Sequence, residues 1–305
     1  MMMELISIAL ATYNGEKFLR EQLDSLLSQT YQHFEIIIHD DCSVDDTVKI
    51  LEEYSQKDKR IHFKQNDKNL GFSKNFESII AECNGKYIAF SDQDDIWEKK
   101  HLEVLYELIN GKHLSCANSM LVDTNGRPLG MTMQDVTNIS TAISESNLKY
   151  RLFYNNFVQG TAMMIETEFC KKCLPVPKEV NYHDYWFALV AAMDDGIRYS
   201  DEVILKYRQH NNNITSNIKN SSIREFYNCL SGHHRKHSSL QVSILKAVKE
   251  RFPENQIVDD AIVFFSNHAQ KKVNAELLNY YCKHQLEMFP TMKCSLMHKF
   301  IYLYI

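Results

Sequence analysis

Glycine and proline are scarce, at 9 and 5 of 305 residues, far below average shares of roughly 7% and 5%. Collagen-like, proline-rich and Gly/Ser low-complexity readings are excluded, and little is left for long flexible linkers. No apolar run approaches the roughly 18 residues that cross a bilayer, and no basic segment precedes the apolar run within Met1 to Ala11. The chain is therefore expected in the cytoplasm. The 8 cysteines are scattered without a disulfide framework. Cys170 and Cys173 form a C-x-x-C with no second pair at zinc-binding spacing, so they read as two half-buried thiols on one helix.

What is present is an apolar share of 44%, enough to fill a core. Residues 5–11 read as a buried strand and Glu16 to Gln29 as an amphipathic helix. The pattern repeats with a strand at Phe34 to His39, then a helix opened by a capping-box-like pair, Ser43 and Asp46. A strand at Ile61 to Gln65, a helix at Ser73 to Cys83 and a strand at Lys86 to Ser91 follow. Strands alternating with helices imply an α/β fold with a mainly parallel sheet. Beyond residue 112 the pattern is more mixed. A strand from Leu114 to Val122, a turn at Asp123 to Gly126, a strand near Val158 to Ile165 and a helix from His183 are expected. Residues 221–305 read as a helical appendage, with the final KFIYLYI segment alone strand-like.

Charge is unevenly shared. The net charge is −5, yet residues 221–305 hold 11 Lys/Arg against 7 Asp/Glu, and 6 of the 13 histidines. That asymmetry, with the cluster His233-His234-Arg235-Lys236-His237, suggests docking on the anionic inner face of a membrane. Shallow insertion of Lys299 to Ile305 would add to it. A cover over the first domain or a homodimer contact explains the same helices. An acidic chain without a nucleic-acid motif makes nucleic acid an unattractive partner.

Acidic residues gather at two strand ends, Asp40-Asp41 and Asp92-Gln93-Asp94-Asp95. In a parallel sheet that edge is the ligand crevice. Carboxylates crowded there repel one another unless a cation intervenes, and oxygen-rich sites suit Mg²⁺ or Mn²⁺ bridging to a diphosphate.

The runs Ala11-Thr12-Tyr13-Asn14-Gly15, Ser25 to Tyr31, Phe34 to Thr47 and Asn69-Leu70-Gly71-Phe72 together resemble the inverting family 2 glycosyltransferases, whose fold is GT-A. The resemblance spans about residues 4–210 and implies a transferase domain over 1–220. The donor half would be about 1–112, the acceptor half 113–220, and 221–305 the helical region. It further implies that Ala11, Tyr13 and Asp41 hold the nucleotide base, that Asp92 approaches the ribose, and that Asp94 ligates the metal. Cys42 stands where glycine is commoner. In Asn181-Tyr182-His183-Asp184-Tyr185-Trp186, Asp184 would be the general base, since inversion requires a carboxylate to take the proton of the attacking hydroxyl. Capping of its helix is the plainer role for Asp184. The run Tyr207-Arg208-Gln209-His210 with Asn213 is similar to bacterial rhamnosyltransferase-like members; His210 would join the metal and Arg208 the phosphates. Trp97 and Trp186 flank the acidic motifs and are candidate sugar or acceptor contacts, while His183 is a candidate phosphate or acceptor contact. The partners implied are a UDP- or dTDP-sugar and a surface-glycan acceptor, free or lipid-linked. Three alternatives stay open. A sugar nucleotidyltransferase would want a glycine-rich phosphate loop where only Gly15 stands; a silent nucleotide-sugar-binding subunit would keep the pocket; and the His183-Asp184 doublet also suits metal-dependent phosphohydrolases.

Overall fold

The computed structural model describes residues 3–137, 139, 143–210 and 233–288. Strand β1 (Ile6–Thr12) is buried on both faces from Ile6 to Leu10, as a central strand covered by helices must be. Helix α1 (Leu19–Leu27), strand β2 (Phe34–Asp40), helix α2 (Thr47–Lys57), strand β3 (Ile61–Gln65), helix α3 (Phe72–Glu82) and strand β4 (Tyr87–Ser91) complete the alternation. These four strands lie in the order β3-β2-β1-β4, all parallel.

The second half continues with β5 (Ile96–Trp97), α4 (His101–Ile109), β6 (Leu114–Val122), β7 (Pro128–Thr132), α5 (Met133–Thr137) and α6 (Leu148–Tyr154). Then come β8 (Met163–Glu166), α7 (Thr167–Cys173), α8 (His183–Met193) and β9 (Ile197–Arg208). Strand β8 joins β4 antiparallel, β6 joins β8 antiparallel, and β9 lies parallel to β6, extending one sheet. Helices α9 (His233–Arg251), α10 (Gln256–Ala269) and α11 (Ala275–Met288) close the described chain. The α/β, GT-A-like fold with C-terminal helices is thus the one expected.

Core packing separates into two apolar clusters. One is built on α1, α2 and α4, and the other on α3, α6 and α8. Helix α8 is buried on nearly all sides, so it is a central helix rather than an amphipathic cover. The C-terminal helices share its cluster through Leu245, Val248, Phe264, Phe265 and Leu277, so they are packed on the second half.

Local departures have local causes. Helix α1 starts at Leu19 rather than Glu16, because Phe18 and Leu19 N–H groups first close a turn on the Gly15 carbonyl. The Ser43/Asp46 capping box does not form: Ser43 Oγ turns to Asp40 Oδ1 (2.5 Å), and Asp45 Oδ1 accepts from Thr47 N–H (3.0 Å) instead. Residues 160–162 form a 3₁₀ turn, delaying β8 to Met163. The KFIYLYI segment lies outside the described residues.

Candidate functional site

A cavity of about 770 Å³ opens beyond the carboxyl ends of β1, β2 and β4 and extends to the start of α8. Ala11, Tyr13, Asp41, Asp92, Asp94, His183 and Asp184 all line it. Both carboxylate clusters and the residue expected to act as base therefore face one space.

The two acidic motifs differ in how they are held. Asp40 is fully buried and accepts from Thr12 Oγ1, Ser43 Oγ, Ser43 N–H and Gln65 Nε2, so it fixes the turn and faces no ligand. Asp41 accepts from Leu70 N–H (2.7 Å), Gly71 N–H (2.8 Å) and Asn66 Nδ2 (3.0 Å), clamping the Asn69-Leu70-Gly71 loop against the cavity. Between them and the helix, Cys42 sits at φ +67°, in the left-handed region that favours glycine, and donates from Sγ to Asn66 O.

Gln93 is a residue the sequence reading passed over. Its Oε1 accepts from Tyr13 N–H (2.8 Å) and its Nε2 donates to Tyr13 O (3.0 Å), joining the first loop to the acidic turn. A Cβ on Gly15 would stand 2.2 Å from Gln93 Oε1, so this clamp requires glycine there. The available signal was a neutral amide between two aspartates. Tyr13 itself is half exposed over the opening.

Asp94 Oδ2 meets His210 Nε2 at 2.7 Å, and the His210 ring stacks on Phe18 at 5.2 Å. Burial first, and then the charges of Asp94 and Asp184, push the Asp92 carboxyl up to about 8. Burial and the neighbouring Asp94 and Asp92 raise that of Asp95 as well. Excess negative charge of this kind is what a divalent cation would offset. Among the described residues no three His, Cys, Asp or Glu side chains are grouped to hold a metal alone. A carboxylate and an imidazole suit Mg²⁺ or Mn²⁺ that takes its remaining ligands from a diphosphate and water, so the residues fit such an ion.

Asp184 stands one residue inside α8; the N-cap is Tyr182, which makes no side-chain cap bond. The carboxylate is oriented from three sides. Gly160 N–H donates to Oδ2 (3.0 Å), while Tyr185 N–H (2.5 Å) and Asn156 Nδ2 (3.3 Å) donate to Oδ1. Burial outweighs these bonds and lifts its pKa to about 6.

Three expected contacts are placed elsewhere. Trp97 is buried and stacks on His101 at 3.6 Å, because an indole on the two-residue strand β5 falls between α1 and α4. Trp186 is buried too, donating from Nε1 to Cys173 O (2.7 Å), since it lies on the face of α8 turned to α7. Neither lines the cavity. Arg208 is 1% exposed and donates to Asp94 O, Thr124 O and Glu21 Oε2. Its guanidinium braces the acidic turn from behind instead of facing phosphate. Of the basic cluster, His237 Nε2 contacts Tyr154 O at 2.6 Å and so packs on α6; the side chains of 233–235 lie outside the described residues.

Helix α9 was not foreseen at the site. His237, Leu240, Gln241 and Ile244 line the same cavity, and Gln241 Oε1 accepts from Tyr185 O–H (3.0 Å). Helical spacing of Leu240 and Ile244 was visible, but nothing in it told which element they would meet.

Residues 7–173 match the description "Glycosyl transferase family 2". The chain belongs to glycosyltransferase family 2. An uncharacterized glycosyltransferase of Methanocaldococcus jannaschii is 31% identical over 231 residues, covering 73% of this chain and 77% of that one. A putative teichuronic acid biosynthesis glycosyltransferase of Bacillus subtilis is 36% identical over 129 residues, 41% of this chain and 50% of that one. Among solved structures, the S. aureus TarS 1-349 complex with UDP-GlcNAc has a TM-score of 0.61 at 20% identity, covering 98% of this chain and 78% of that one. A mannosyltransferase of Pyrobaculum calidifontis, in complex with GDP-Man and Mn²⁺, gives 0.55 at 13% identity, covering 98% and 85%. These structures share the fold. The family match ends at Cys173, before α8, and so does not reach Asp184 or His210.

Proposed function

We propose that this family 2 glycosyltransferase moves a sugar from a UDP- or dTDP-linked donor to a hydroxyl of a surface glycan, with inversion and with Asp184 as base. The observation that carries the reading is one cavity lined by Asp92, Asp94 and a hydrogen-bonded Asp184 whose pKa burial raises. Residues 1–220 form the catalytic unit, with α9 of the C-terminal region adding an acceptor-side wall. Teichuronic acid in the name of one relative supports a surface-glycan acceptor, and the Tyr207-Arg208-Gln209-His210 run supports a rhamnosyltransferase-like branch.

In the proposed step Asp184 takes the acceptor hydroxyl proton as the acceptor oxygen bonds to the anomeric carbon. The carbon–oxygen bond to the diphosphate breaks, and the nucleoside diphosphate leaves with that electron pair. Asp184 suits the role because a base works best with a pKa close to the working pH. Asp41 and the loop it clamps, with Ala11 and Tyr13, enclose the base, and Asp92 faces the ribose. Asp94 with His210 would hold Mg²⁺ or Mn²⁺, which supplies charge stabilisation to the departing diphosphate.

No helix among the described residues is long and apolar enough to cross a membrane. Peripheral docking through residues 221–305 would bring the site to a lipid-linked acceptor; it predicts salt-sensitive flotation of the full chain with anionic but not neutral vesicles. The function itself is tested by thermal stabilisation across a panel of nucleotide sugars with Mn²⁺. Nucleotide release on adding glycan acceptor should then follow. Stabilisation with no release would reduce the chain to a binding subunit, and phosphate release without glycan would favour a phosphohydrolase.

A further inference from the structure

His183 is 3% exposed, lines the cavity, and has no hydrogen-bond partner at Nδ1 or Nε2. Around it stand Phe76 (4.6 Å between ring centroids), Phe90 (4.9 Å), Phe72 (5.5 Å) and Phe187 (5.8 Å). An imidazole in an apolar cage with both nitrogens idle is costly, since each buried unmet polar atom forfeits its bonds to water. Cores usually give such a position to phenylalanine. Burial also drives its pKa down to about 3, so the ring is neutral at pH 7, with one N–H donor and one acceptor nitrogen. Either nitrogen can therefore make one hydrogen bond with a hydroxyl, which both donates and accepts.

The surroundings say which hydroxyl. A Cβ on Gly160 would lie 3.6 Å from His183 Nε2 and 3.5 Å from Asp184 Oδ2, so the imidazole and the carboxylate border one small space. Gln159, next along the wall, has an idle Nε2 while its Oε1 accepts from Ser119 Oγ (2.5 Å). Phe72, Phe76 and Phe90 belong to α3 and β4, in the half expected to hold the donor, and α9 lines the same cavity.

We propose that His183 is a specificity-determining residue that hydrogen-bonds a hydroxyl of the transferred sugar in the space beside Gly160, with Gln159 Nε2 as its neighbour. The proposal rests on the glycosyl-transfer reading above and names the part of the donor that its deep end recognises. A site built for a hydroxyl discriminates strongly, because a sugar lacking it leaves the buried His183 Nε2 unmet.

The test compares two variants with the parent by calorimetry in Mn²⁺, using UDP alone and then UDP-glucose, UDP-N-acetylglucosamine and dTDP-rhamnose. His183→Phe keeps a ring in the cage and removes both nitrogens. Gly160→Ala places a methyl at ordinary contact distance in the free protein, so it folds, and occupies the space meant for the hydroxyl. Affinity for UDP should stay within about twofold in both, while the ratio of sugar-nucleotide to UDP affinity drops at least about tenfold. Without ligand, His183→Phe should melt about 2 °C higher or more, because idle polar atoms leave the core. Parent-like ratios in both variants, or a lower melting temperature for His183→Phe, would overturn the proposal. Failure of the parent to bind any of these nucleotides would instead bring down the glycosyl-transfer reading, and this proposal with it.

Discussion

The two sides of the cavity are finished to different degrees. On the side of β1 and β2, Asp40 and Asp41 are bound to backbone and side-chain donors from four separate segments. On the side of α8, His183 and Gln159 hold idle atoms, and Asp184 carries a carboxylate that burial makes reluctant to ionise. A rigid, satisfied wall suits an invariant part of a ligand such as the nucleotide. An unsatisfied wall stores polar capacity for atoms that arrive with substrate, and it does so at a cost in stability.

The largest test of that contrast removes the charge at the unfinished wall. Asp184→Asn should cut transfer by about 10² or more and leave donor affinity within about threefold; turnover and titration calorimetry read the two. Equal loss in both would make Asp184 part of the donor clamp and erase the division between the walls. Next in size is Asp94→Ala, expected to weaken Mn²⁺-dependent nucleoside diphosphate binding at least about tenfold, while metal-free binding barely changes. Unaltered metal dependence would remove Asp94, and His210 with it, from ion binding.

A pH series sharpens the same comparison. With its pKa near 6, Asp184 is protonated below that value, so transfer should fall about tenfold per unit as pH drops beneath it, and level off above. Stability runs the other way. The folded pKa exceeds the ordinary 3.8, so the folded state binds the proton more tightly. This group's stabilising share is present at low pH and is lost as pH rises from about 4 to 6, roughly 2 kcal/mol for a carboxylate partly open to the cavity. Denaturant midpoints of the parent, referenced to Asp184→Asn across that window, isolate the term. At the finished wall, Asp41→Asn should cost about 1 to 3 kcal/mol, because an amide cannot serve three donors with one oxygen.

How far each wall could be read from the chain follows the same line. Strands β1 to β4, their helices and both acidic turns were legible because short-range pattern fixes them: buried runs, helical spacing, and acidic residues just past strand ends. The burial of Trp97 and Trp186 was not, because a tryptophan beside an acidic motif packs inward or outward according to elements far away in sequence. Arg208 misled similarly, since its partners Glu21 and Thr124 lie 187 and 84 residues distant. His183 was legible as a residue of interest, but its cage comes from α3, β4 and α8 and exists only once they meet.

The smallest effect expected is at Cys42, and its sign is informative. A non-glycine residue at φ +67° carries about 1 kcal/mol of backbone strain, which Cys42→Gly relieves. Against that, glycine gains about 0.5 to 1 kcal/mol of freedom in the unfolded chain, and the Sγ–H bond to Asn66 O is lost. The terms nearly cancel, so Cys42→Gly should melt within about 2 °C of the parent. Cys42→Ala keeps the strained Cβ but loses the thiol, and should melt below both. If alanine instead matched the parent while glycine rose by several degrees, strain would dominate the turn. The finished wall would then hold stored cost of its own, and the contrast with the α8 side would narrow to the idle atoms of His183 and Gln159.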